Sequence, residues 1–263
     1  MKTNKVAFIA LSLIAPVGLS LSSGGTSSAA TLKTAAITAK ESSNFAGYQA
    51  VDPKEPFTHV TASFTVPVVK CSGAAGDSVS QYVQLVQYNF GVEAEYTAGI
   101  NEFCSNGGLP GYNAFYTGSD GDNSEGGVQR PVNPGDNLVA SLTSETGNRM
   151  GVYVIDLTHP GDSFNYNLAG LLSVAPAFNE VDVFSDGSAD LYGPLDFDII
   201  HFTNIEISDT ANPGGFVSPD WQSYEYVLDG LTIGDQPQVN VTPYLLAANG
   251  ESFENIWFAY SYH

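Results

Sequence analysis

From Asn44 onward the chain is written in short apolar runs separated by turn residues. The runs are rich in Val, Ile, Phe, Tyr and Thr, and clusters of Gly, Pro, Asn and Asp lie between them. The clearest cover 59–66, 80–88, 137–143, 150–157, 180–184, 199–207, 223–228 and 255–262. Many alternate apolar and polar positions, the period-two pattern of a strand with one face in a core and the other outside it. No window carries a helical stripe with caps, and Gly and Pro recur too often for long helices. Evenly spaced strands over 42–263, without repeat or internal boundary, predict one all-β domain, a two-sheet antiparallel β-sandwich or jelly roll.

The first forty residues break this pattern. Lys2 and Lys5 precede an apolar run over 6–21 that is interrupted by Ser12, Pro16, Gly18 and Ser20, and small residues follow up to Ala29-Ala30. A basic head, an apolar middle and a small-x-small exit predict a secretory signal peptide over 1–30, too short and broken for a membrane span. Residues 31–41 read as a linker or short pro-segment. The expected product is secreted and monomeric.

Charge sharpens the picture. The whole chain carries −20, and loss of residues 1–30 removes two of the eight basic residues and none of the 28 acidic ones, giving −22. Such a surface excludes nucleic acid and anionic membranes as charge-driven partners. Most carboxylates lack a cation to pair with, so folding is expected to raise their pKa values and stability to increase as pH falls.

Two cysteines, Cys71 and Cys104, in an exported chain predict one disulfide. The four histidines, His59, His159, His201 and His263, show no metal-ligand spacing with one another or with Cys, so neither a metal nor a cofactor is expected. The acidic stretch 118–127 begins like a calcium loop. It lacks the glycine at its sixth position and has Pro131 where the closing glutamate belongs, so it reads as a solvated turn.

Several segments, in order along the chain, resemble the glutamic peptidases, the eqolisin family of secreted acid endopeptidases. They are Ser43-Asn44-Phe45-Ala46-Gly47-Tyr48, Ser63-Phe64-Thr65-Val66-Pro67 with Cys71, Gly99 with Cys104, Pro134-Gly135-Asp136 with the following strand, and Phe202-Thr203-Asn204. The resemblance implies a concanavalin-like sandwich whose site carries a Glu as general base and acid, and a Gln that holds the water and stabilises the oxyanion. A carboxylate can move the proton while a neutral amide donates to developing charge. By this register Glu180 takes the catalytic Glu position. Thr97 stands at the position of the Gln, Tyr82 at that of a Trp and Val86 at that of an Asp, so the dyad is altered.

Alternation on strands suggests replacements. Tyr82, Gln84 and Val86 share a face, as do Glu93, Glu95 and Thr97. Gln84 is the candidate substitute amide, and Glu95 a candidate second carboxylate beside Glu180. Tyr82, Glu95 and Asp182 are the candidate substrate contacts, with a polypeptide as substrate. Two other readings stand beside the peptidase. One is a non-catalytic sandwich that stacks a peptide or glycan on Tyr82, Tyr88, Tyr96, Tyr112, Phe115 and Tyr116. The other is a glycosidase, since Glu180-Val181-Asp182-Val183 resembles the Glu-x-Asp-x signature of laminarinase-like enzymes. That chemistry needs a second Glu about 5 Å away, and Phe184 and Ser185 follow instead.

Overall fold

The computed structural model describes the chain from Lys40 to Trp257 except residues 43–44, 53, 72–77, 90–91, 106–107, 121–122, 147–148, 170–176, 189–195, 214–220, 234–235, 245 and 248. The expected signal peptide, most of 31–41 and the end of the 255–262 run lie outside these residues, as does the tip of the 118–127 stretch.

The described residues form strands and a single short 3-10 turn, Pro160–Asp162. One antiparallel sheet has the order β10 (Phe164–Ala169), β9 (Arg149–Asp156), β8 (Asn137–Glu145), β3 (Phe57–Thr65), β12 (Ile199–Asp209). The second runs β15 (Phe253–Trp257), β14 (Gln236–Tyr244), β13 (Trp221–Ile233), β2 (Phe45–Val51), β11 (Glu180–Ser188), β4 (Ser78–Asn89), β5 (Val92–Cys104), β6 (Pro110–Asp120), β7 (Asn123–Pro131). A short β1 (Lys40–Ser42) lies parallel to β13. The fold is the β-sandwich that the alternating pattern predicts.

Every second residue of the central strands enters the core. Val60, Ala62 and Phe64 of β3, Leu138, Ala140 and Leu142 of β8, and Met150 and Val152 of β9 are buried from one sheet. Val83 and Leu85 of β4, Tyr96, Ala98 and Ile100 of β5, and Val181 and Val183 of β11 are buried from the other. Each fully buried Val or Leu contributes roughly 1.5–3 kcal/mol, which fixes which face of each strand points outward.

Strand β12 belongs to both sheets. Its first residues pair with β15 and its later ones with β3, with a register shift after Thr203. At the shift Asn204 has φ 50°, a left-handed conformation that Asn tolerates better than most residues. Thr203 Oγ1 donates to the Ser63 carbonyl at 3.3 Å, and Asn204 Nδ2 to Ser63 Oγ at 3.4 Å. Phe202 stacks on Phe253 and meets Phe64 edge-on. Two of the recognised segments therefore form one corner of the sandwich.

The other segments are also architectural. Gly135, at φ 91°, donates to the Val66 carbonyl at 2.9 Å, and Val66 donates to the Asp136 carbonyl at 2.8 Å. A Cβ at Gly47 would strike the Val183 carbonyl and the Phe184 ring. Cys71 and Cys104 form the expected disulfide, with Cα atoms 5.7 Å apart.

Candidate active site

The outward face of the second sheet carries an arrangement that the strand registers fix. On β11, Val181 and Val183 point into the core, which turns Glu180, Asp182, Phe184 and Asp186 to the other side. Asp182 stands opposite Gln49 of β2 and Gln84 of β4, and Gln84 opposite Thr97 of β5. Gln222 of β13 extends this polar row beyond Gln49, and Thr117 of β6 extends it beyond Thr97. In the adjacent row Glu180 faces Val51 and Val86, and Val86 faces Glu95. On the far side of the polar row Phe184 faces Gly47 and Tyr82.

These side chains are sunk among their neighbours although they point away from the core. Asp182 is 2% exposed, Thr97 6%, Tyr82 7% and Glu180 8%. Burial is the largest cause that pushes the Asp182 carboxyl well above the usual carboxylate range. The charge of Glu180 adds to it, since two carboxylates side by side cannot both ionise easily. The Gln49 amide donates to Asp182 and pulls in the opposite direction, while a hydrogen bond to Glu180 and the charge of Glu95 raise the value further. The Gln49 amide is held in turn, for Tyr224 Oη donates to Gln49 Oε1 at 2.9 Å. Tyr88 Oη donates to Glu180 Oε1 at 3.4 Å. Burial pushes Asp186, beyond Phe184 on the same face of the strand, up to about 6.

Gln84 Nε2 donates to Thr97 Oγ1 at 3.0 Å and to Glu95 Oε2 at 3.3 Å. The candidate amide therefore directs its N–H groups toward β5. An aromatic group borders the polar row: Phe45 stacks on Phe184 with centroids 4.2 Å apart, and Tyr82 meets Phe184 edge-on at 6.3 Å.

All six site residues singled out from sequence, Glu180, Thr97, Gln84, Tyr82, Glu95 and Asp182, thus share one face within three neighbouring rows. The carboxyl that the structure sets against Glu180 through a hydrogen bond is Asp182, two residues away on the same strand. Glu95 reaches the group through Gln84 and through its charge on Asp182. Sequence reasoning missed Gln49. Alternation with Gly47 gives its outward face, but its place opposite Asp182 comes only from the register of β2 with β11. Three of the candidate stacking residues belong elsewhere. Tyr96 is buried against Phe178, Tyr116 is buried and stacks on Tyr166, and the Tyr112 hydroxyl accepts from the Val69 amide. Phe184, where a glycosidase needs its acid, is buried beneath Phe45.

The antiparallel sandwich thus carries a buried carboxyl pair on the outward face of its second sheet, bordered by amides and hydroxyls. The profile of the Peptidase A4 family matches residues 43–242, and the chain belongs to that family. Among solved structures it is similar to scytalido-glutamic peptidase with a transition state analog inhibitor. That match has a TM-score of 0.62 at 15% identity and covers 82% of this chain and 98% of that one. It is also similar to SCP-B, a member of the eqolisin family of peptidases in complex with the tripeptide Ala-Ile-His, with a TM-score of 0.60 at 15% identity over the same shares. No curated protein sequence matches the chain.

Proposed function

We propose that this chain is a secreted acid endopeptidase of the glutamic type in which a Glu180–Asp182 carboxyl pair does the work of the family's Glu–Gln dyad. One observation carries the reading. Asp182 lies buried beside Glu180, hydrogen-bonded to it, with its pKa raised chiefly by burial and then by that neighbour. One carboxyl of the pair therefore keeps its proton in acid while the other ionises.

In this reading the Glu180 carboxylate takes a proton from a water, and the water oxygen bonds to the peptide carbonyl carbon. The oxyanion that forms accepts a hydrogen bond from the protonated Asp182. Glu180 then gives its proton to the amine nitrogen, the C–N bond breaks, and Glu180 is again a carboxylate. Gln49, anchored by Tyr224, holds Asp182 in place, while Gln84 and Thr97 continue the polar wall toward β5. A neutral carboxyl supplies the donor that Thr97 is too short to supply from the position of the family's Gln. A peptide-bound solved relative supports a polypeptide as the ligand, and the disulfide supports an oxidising, exported destination.

The test is cleavage of a denatured protein between about pH 2 and 5, where such a pair is singly protonated, with pepstatin present and beside Glu180→Gln. Cleavage by the wild type that the variant lacks supports the reading. A wild type inactive at every acid pH leaves the non-catalytic sandwich that binds a peptide or glycan.

A further inference from the structure

A second cluster of ionisable groups lies in the other sheet, at the end of the β8–β9 pair. Asp136 closes the turn that leads into β8, and Asp156 ends β9 opposite Leu138. His159 sits in the turn that follows. Both carboxylates are buried, Asp136 at 3% and Asp156 at 1% exposure, whereas the His159 side chain is half exposed.

Each carboxylate has one oxygen held by local N–H groups. Asp136 Oδ2 accepts from the Asn133 amide at 2.8 Å and from Asn133 Nδ2 at 3.4 Å. Asp156 Oδ1 accepts from the amides of Thr158 at 2.8 Å and His159 at 2.7 Å. The remaining oxygens turn toward the imidazole. Asp136 Oδ1 is 3.0 Å and Asp156 Oδ2 3.9 Å from His159 Nδ1, and one ligand atom from each residue lies within 4.8 Å of the others.

Asp156 Oδ2 is the informative atom. It is buried and has no hydrogen-bond partner among the described residues, a state that native interiors avoid. No lysine or arginine among the described residues pairs with either carboxylate. His201 and Glu254 offer a contrast, as an exposed imidazole nitrogen 3.0 Å from a single carboxylate.

We propose that Asp136, Asp156 and His159 form a binding site for a divalent cation of the zinc class, with one nitrogen and two oxygen ligands. Zinc accepts such a mixed set, and the half-exposed imidazole leaves a way in for the ion and a place for water. A cation there satisfies the orphaned oxygen and clamps the turn before β8 to the turn after β9. Sequence spacing hid the site because its ligands come from two separate turns that only the strand register brings together. The site lies on the other sheet from Glu180 and stands independently of the peptidase reading.

The experiment is a calorimetric titration of the chelator-stripped protein with zinc chloride at neutral pH, in enough salt to screen the acidic surface. One equivalent bound per chain, with a raised unfolding temperature, is the expected result. His159→Ala should bind at least about tenfold more weakly, and His201→Ala as the wild type does. Asp156→Asn keeps an acceptor for the local amides and should weaken binding alongside His159→Ala. Absence of saturable binding by the wild type, or binding by His159→Ala at wild-type strength, overturns the proposal.

Discussion

In the proposed mechanism Asp182 supplies the proton that the oxyanion accepts. If its proton serves the oxyanion, Asp182→Leu should lower kcat by roughly 100- to 1000-fold, the usual effect of losing one such donor. Asp182→Asn should cost far less, because an amide still donates. Its pH profile should differ as well. The wild type loses its donor when Asp182 ionises, so its activity should fall as pH rises, whereas the Asn variant should stay active to higher pH. A pH–rate profile of the two variants beside the wild type reads both effects. Gln49→Leu removes a donor to Asp182 without touching Glu180, so kcat should drop while the fold persists in circular dichroism. The positions of Glu180 and Thr97 were legible in the sequence, because Thr97 is counted back from Gly99 and Cys104 and Glu180 sits in its own short motif, Asn179 to Phe184. The sequence did not reveal Gln49 or the burial of Asp182. Those depend on β2 pairing with β11 across more than half the chain, and no local pattern encodes that register.

Among the elements, β12 joins the two sheets. Its alternating pattern reads as one strand, and it is one. Its passage from one sheet to the other depends on partners far away in sequence, so the pattern alone does not show it. The signal lies in Asn204, at φ 50°. A β-branched residue there meets a steric penalty of about 1–2 kcal/mol, while Gly meets none. Urea unfolding of Asn204→Val should show a lower midpoint with an unchanged slope, and Asn204→Gly should stay near the wild type. Equal midpoints for the two variants would argue against strain at this corner. Alternation predicted the strands, and which residues share a face, for one reason. Each buried Val or Leu on one side fixes what stands on the other, which is how Gln84 and Thr97 came to lie on one wall.

At the scale of the molecule, acidity and burial act together on stability. Burial raises Asp182, Asp186 and the fully buried Glu102, Asp186 to about 6. A carboxyl whose folded pKa exceeds its unfolded value stabilises the fold fully below the unfolded value, and loses that contribution as pH rises through the folded one. For Asp186 the window runs from its ordinary 3.8 to about 6. Burial also pushes His59 down, which acts the other way as pH falls below its ordinary 6.5, but three carboxyls outweigh one imidazole. The urea midpoint should therefore be higher near pH 4 than near pH 7, and the reverse order would contradict this balance. Reduction of the Cys71–Cys104 bridge, which spans 33 residues, should lower stability by about 3–4 kcal/mol. The central claim is that the outward face of the second sheet hydrolyses peptide bonds through Glu180. Its most direct measurement is the cleavage rate of a denatured protein at about pH 4, pepstatin present, for the wild type and Glu180→Gln. The wild-type rate should fall by on the order of 1000-fold in the variant; equal rates for the two proteins would rule out Glu180 as the catalytic carboxyl.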